Sequence, residues 1–334
     1  MSKVRTADEL AELIQDGMTI GVSGFGLAGW NQEMAIAIGK RFEKTGHPRD
    51  ITFVQSSPLG DHTENTGTAF LAHEGLIKRW IGAHLLGSPR MGKLVAENKI
   101  EAYNLPQGVI IQLWREIAAK RPGLITKVGL KTFVDPRVEG AKLNARTTED
   151  IVKVVNFEGE EWLFYKSFPV DVGLIRGTTA DEKGNITMEN EGILACALPL
   201  AQAVKNSGGI VIAQVENIAK ANTLHPKDVR VPGILVDYIV VATDQKNHYQ
   251  TEGTYYNPAF AGNIKMPLSE VAPLPLNERK VIARRAAMEL KPNAILNLGV
   301  GIPSDVANIA AEEKADESLT LTTEAGSIGG IPAS

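Results

Sequence analysis

Cysteine is almost absent. A single residue, Cys196, cannot support an intrachain disulfide framework and fits a reducing compartment. Aromatic residues make up 6% of the 334-residue chain, and no apolar run approaches the roughly 18 residues that a membrane-spanning helix needs. Charge of one sign is not in excess either: 35 basic against 39 acidic residues give a net charge of −4, which argues against nucleic acid as a partner. The N-terminal MSKVRTADELAELIQDG carries charges throughout and reads as an amphipathic helix, not a signal peptide or anchor. Cytoplasmic residence is the expectation. At 43% apolar and 22% charged residues the composition is that of a globular protein long enough for two domains.

Short β-rich runs alternate with helical periodicity, which predicts an α/β fold of two related open domains with mainly parallel sheets. Strands are expected at 18–23, 51–55, 170–175, 209–215, 238–242, 294–298 and 319–322, and helices at 31–45, 108–119 and 199–206. The polar, proline-punctuated stretch 244–276 reads as a linker between a first domain, 1–243, and the start of a second, 277–334. A repeat crosses that stretch. Asp16-Gly17-Met18-Thr19-Ile20-Gly21-Val22-Ser23-Gly24-Phe25-Gly26 aligns with Lys291-Pro292-Asn293-Ala294-Ile295-Leu296-Asn297-Leu298-Gly299-Val300-Gly301, each a turn, a strand and a Gly-x-Gly loop before another helix. The second copy is expected to be incomplete, with sheet edges left unpaired.

Gly24-Phe25-Gly26-Leu27-Ala28-Gly29 matches G-x-G-x-x-G, so a nicotinamide-dependent oxidoreductase is one reading. The second strand, however, runs into Gln55-Ser56-Ser57, with no acidic residue to hold a ribose. An anion or acyl-group loop whose amides and following helix N-terminus face the ligand is the other reading, beside a plain tight turn. His62, His73 and His84 recur every eleven residues, but no cysteine or paired carboxylate completes a zinc set, and no metal is expected. The basic Lys280–Arg285 segment reads as a solvated helix face, and no P-loop occurs.

Near the end, Thr322-Thr323-Glu324-Ala325-Gly326-Ser327 places a carboxylate after an apolar strand and before small residues that leave it accessible. A strand, loop, helix, strand path returns Glu324 close to Gly299–Gly301. There a carboxylate can attack an acyl group while loop amides stabilise the oxyanion. In their order and spacing, several motifs resemble a family I coenzyme A transferase, closest to the propionate CoA-transferase branch. They are Gly24-Phe25-Gly26, Glu101-Ala102-Tyr103-Asn104-Leu105-Pro106-Gln107-Gly108, Arg176-Gly177-Thr178-Thr179, Asn297-Leu298-Gly299-Val300-Gly301-Ile302-Pro303 and Thr323-Glu324-Ala325-Gly326.

The resemblance implies ping-pong transfer of CoA from a short-chain acyl-CoA to a free carboxylate through a glutamyl-CoA thioester on Glu324. It implies CoA binding at Gly299, Val300, Gly301, Ile302 and Pro303, an oxyanion amide at Val300, Gln107 reaching the acyl carbonyl, and Gly24, Phe25 and Gly26 as the acyl or anion loop. Coenzyme A is then a substrate, with no permanently bound cofactor. Two positions depart from the family: Ala325 follows the nucleophile where relatives carry Ser or Asn, and Trp30-Asn31 stands where proline is common. An oligomer, and a second polypeptide completing the C-terminal domain, are the expected partners. A non-enzymatic effector-binding domain of the same fold is the further alternative.

Overall fold

The computed structural model describes residues 2–267, 272–314, 318–323 and 326–330. The chain divides into two compact units, Met1–Asn263 and Ile264–Ser334.

In the first unit, α1 (Ala7–Ala11) starts at a capping box in which Thr6 and Glu9 satisfy each other's backbone N–H groups. Strand β1 (Thr19–Val22), helix α2 (Gln32–Thr45), β2 (Ile51–Gln55), β3 (Ile77–Gly82), α3 (Pro89–Ala96), β4 (Glu101–Asn104) and α4 (Gln107–Ala118) follow. Next come β5 (Gly123–Thr126), β6 (Val152–Phe157), β7 (Glu160–Lys166), β8 (Val172–Arg176), β9 (Thr179–Asp181) and β10 (Ile186–Thr187). Helix α5 (Ala197–Ser207) then leads to β11 (Ile210–Val215), β12 (Asn217–Ala219), β13 (Val229–Val231) and β14 (Tyr238–Val241).

Seven of these strands form one parallel sheet in the order β14-β11-β8-β1-β2-β3-β4. Successive strands run outward from β1 on one side and from β8 on the other. The order therefore reverses between β1 and β8, where Ile20 lies opposite Val172. Such a switch point opens a crevice at the carboxyl ends of its strands. Both faces are covered, one by a cluster around Trp30, Met34, Ile38 and Trp80, the other by a cluster around Tyr103, Trp114, Leu200 and Val204. Small residues in the two central strands let α5 come close. A Cβ on Gly21 would lie 2.8 Å from Leu200, and one on Gly173 would lie 2.8 Å from Val204.

Two smaller sheets lie outside the expected set: an antiparallel β5-β7-β6 and a mixed β12-β9-β10-β13. The expected linker needs correction over its first part. His248 is 4% and Gln250 3% exposed. Gln250 Nε2 donates to the Asn190 carbonyl at 2.7 Å, Gln214 Nε2 to the Asn247 carbonyl at 2.7 Å, and the Thr243 N–H to Glu33 Oε1 at 2.8 Å. The polar side chains that make this stretch look like a solvated linker are what fasten it to the first unit.

In the second unit, α6 (Glu278–Ala287), β15 (Ile295–Leu298), α7 (Ile302–Glu312) and β16 (Thr320–Thr323) are in place. Strands β15 and β16 are parallel neighbours. The order strand, glycine loop, helix, parallel strand therefore occurs in both units, as β1-α2-β2 and β15-α7-β16, at the two ends of the sequence repeat.

Candidate active site

The Gly24–Gly29 loop leaves β1 at the switch point. Phe25 and Ala28 exchange backbone hydrogen bonds of 2.8 and 2.9 Å, and the Gly26 N–H donates to the Pro58 carbonyl at 2.8 Å. The Phe25 and Gly26 amides are thus used within the protein. The helix that follows is no freer: the Glu33 N–H donates to Gln214 Oε1 at 2.9 Å and the Met34 N–H to Asn31 Oδ1 at 3.2 Å. Of the loop and helix amides expected to face an anion, those of Phe25, Gly26, Glu33 and Met34 are therefore not free to bind one or a dinucleotide pyrophosphate. Gly24, Gly26 and Gly29 leave stretches of bare backbone in the loop, which fits close approach of a neutral group. Asn31 caps α2 and its Nδ2 donates to the Ile175 and Ile212 carbonyls at 3.2 and 3.3 Å.

The loop is held from below by a charge cluster that sequence reading missed. Arg176, the last residue of β8, is 2% exposed. Its guanidinium donates to both Glu191 oxygens at 3.0 and 2.6 Å, and to the Leu27 and Trp30 carbonyls at 3.0 and 3.4 Å. His248 Nε2 lies 3.5 Å from Glu191, and its Nδ1 lies 3.0 Å from Gln214 Nε2. Burial alone would raise the Glu191 carboxyl; the Arg176 charge and the hydrogen bonds from His248 and Arg176 outweigh it and hold the group down at about 2. Arg176-Gly177-Thr178-Thr179 was visible as a motif, but its partners are remote in sequence.

Gln107 opens α4 and is exposed, and its Nε2 donates to Ser57 Oγ at 2.8 Å. Ser57 follows β2, so Gln107, Ser57 and the Gly24 loop all lie at the carboxyl end of the same sheet. Cys196 is not a nucleophile candidate: burial pushes its thiol up and outweighs the opposing hydrogen bonds, among them a 3.5 Å contact to Ser56 Oγ. His62 Nδ1 lies 3.0 Å from the Leu86 carbonyl, and His73 lies 3.6 Å from Glu43. Among the described residues no group of three or more His, Cys, Asp or Glu is placed to hold a metal.

In the second unit, Leu298 pairs with Thr323, so Gly299 continues from a strand end beside the residue that precedes Glu324. Glu324 and Ala325 themselves lie outside the described residues. Val300 is 85% exposed, and Gly301, at φ 92°, caps α7 in a backbone region that favours glycine. Ile302 and Pro303 form the first turn of α7 and are exposed. Leu298, Thr323, Ser327 and Gly329 line a cavity of about 220 Å³ at this end of the strand pair.

Residues 4–242 match the family model described as coenzyme A transferase. The chain belongs to the coenzyme A transferase family. It is 60% identical over 334 residues to a caffeate CoA-transferase of Acetobacterium woodii, covering all of this chain and 64% of that protein. It is 43% identical over 329 residues to the acetate CoA-transferase YdiF of Escherichia coli (strain K12), covering 98% of this chain and 61% of that one. The crystal structure of the apoenzyme of an acyl-CoA transferase, YdiF from E. coli O157:H7, superposes with a TM-score of 0.91 at 41% identity, over 99% of this chain and 63% of that one. This transferase-family chain thus spans less than two thirds of the length of these relatives. Among its described residues no helix is long and apolar enough to cross a membrane.

Proposed function

We propose that the protein transfers coenzyme A from a short-chain acyl-CoA to a free carboxylate through a covalent intermediate on Glu324. The observation that carries the reading is the parallel pair β15–β16, which sets Gly299–Gly301 and Thr323, the neighbour of Glu324, at adjacent strand ends. Further support comes from YdiF, 41% identical, of which one crystal structure is described as a thioester complex with CoA.

In this mechanism the Glu324 carboxylate attacks the thioester carbonyl, and the CoA thiolate leaves, giving a mixed anhydride. The thiolate then attacks the glutamyl carbonyl and releases the first carboxylate, leaving a glutamyl-CoA thioester. An acceptor carboxylate attacks that thioester, and the expelled thiolate cleaves the new anhydride at its acyl carbonyl. Each step exchanges one acyl bond for another, so no water, proton or electron is consumed. The Val300 amide serves the oxyanion, Gly299 to Pro303 bind CoA, and the Gln107 N–H not held by Ser57 reaches the acyl carbonyl. Gly24, Phe25 and Gly26 shape the acyl pocket. An oligomeric assembly belongs to the same proposal; the native mass of an active preparation tests it.

Incubation with acyl-CoA alone followed by borohydride should reduce the glutamyl thioester and change the mass of the Glu324 peptide. An unmodified peptide in an active preparation would sink the assignment.

A further inference from the structure

The turn that follows His248 brings a carboxylate onto the glycine loop. Gln250, buried, donates its N–H to the Tyr255 carbonyl at 3.1 Å and accepts the Asn257 N–H on Oε1 at 2.7 Å. Thr251 and Thr254 exchange backbone hydrogen bonds of 3.3 and 3.2 Å. The rings of Tyr249 and Tyr255 stack at 4.3 Å between centroids. Between these fixed points Glu252 projects over Gly26, and a Cβ on Gly26 would lie 2.9 Å from Glu252 Oε1. No hydrogen bond or ion pair engages this carboxylate among the described residues, and the side chain is exposed. On Gly24 a Cβ would lie 3.0 Å from both the Ala28 carbonyl oxygen and the Leu59 side chain.

We propose that Glu252 is a specificity residue of the acyl loop, whose unpaired carboxylate rejects acyl groups bearing a second carboxylate and leaves the site to uncharged ones. The inference rests on the reading of Gly24 to Gly26 as the acyl loop. With the Phe25 and Gly26 amides already engaged, that loop has little with which to offset a second negative charge, so the like charge at Glu252 goes uncompensated. A neutral chain against the glycine backbone carries no charge for Glu252 to repel. The selection is therefore built from repulsion against the wrong acid more than from new contacts with the right one.

Butyrate and succinate test this, since both have four carbons and differ by a terminal methyl against a carboxylate. With the purified transferase and acetyl-CoA as donor, the ratio of kcat/KM for succinate over butyrate should rise about tenfold in Glu252→Gln and further in Glu252→Lys, in that order. A residue that merely braces the turn would not produce an order set by charge. Ratios that stay unchanged across the three proteins while CoA transfer continues would overturn the role of Glu252 alone. If the native enzyme transfers CoA to neither acid nor to any other short carboxylate, the function proposed above fails and this inference fails with it.

Discussion

A guanidinium taken out of water needs its N–H groups engaged. Arg176 has Glu191 on its Nε and Nη2 and the Leu27 and Trp30 carbonyls on Nη1. Truncation to alanine leaves Glu191 charged and buried, so Arg176→Ala should cost about 3–5 kcal/mol, read as a lowered urea midpoint, and should loosen the glycine loop. Replacing both partners by methionine should recover much of that loss. The same pair sets an acid limit. Glu191 is held near 2 against an ordinary value of 4.5, so the unfolded chain takes up its proton first as pH falls. Its contribution to stability is complete above about pH 4.5 and fades on acidification toward about pH 2. Glu191→Gln should flatten the stability profile in that window, measured by denaturation at a series of pH values. At the proposed nucleophile, Glu324→Gln should abolish exchange and borohydride labelling while the melting temperature stays within a few degrees, because the change is isosteric.

At the scale of elements, legibility followed locality. Strands β1, β2, β8, β11 and β14 are short apolar runs buried on both faces of a parallel sheet, and such runs declare themselves without knowledge of their partners. Strand β3 hides because Lys78 and Arg79 interrupt it; Arg79 is satisfied only by Glu101 at 2.6 Å and Glu149 at 2.7 Å, contacts made across the fold. Strands β6 and β7 are outside the expected set too: Lys153 interrupts the first, and the second is apolar only between Glu161 and Lys166. Small neighbours single out Glu324 in the sequence as a proposed nucleophile that lies outside the described residues, whereas the Arg176, Glu191 and His248 cluster joins three distant segments and has no local signature. Helix α2 offers a test of packing against propensity. Gly39→Ala should gain about 1 kcal/mol of helix propensity, yet its Cβ would lie 2.2 Å from the Phe70 carbonyl oxygen, backbone that cannot swing away. Overpacking of that kind costs about 1–3 kcal/mol, so a net loss of stability is expected in chemical denaturation.

For the whole molecule the two units differ in what they bury. The first has two large clusters, one on each face of its sheet, while the buried apolar residues described in the second are Ala283, Leu298, Ala307, Ile309, Ala310 and Leu321, of which Leu298, Ala307 and Leu321 form one small cluster. Residues 1–263 expressed alone should therefore unfold cooperatively with near-native circular dichroism, and residues 264–334 alone should not. A sheet whose order reverses at its centre also has a history during synthesis. Strand β1 can pair with β2 almost at once, but its other neighbour, β8, ends at Arg176. At about 5–20 residues per second the inner edge of β1 waits roughly ten to thirty seconds for that strand to be made. Through that interval the nascent chain displays an apolar, unpaired edge at what will become its most protected place, and ribosome-bound intermediates of this length are where chaperone protection should matter most.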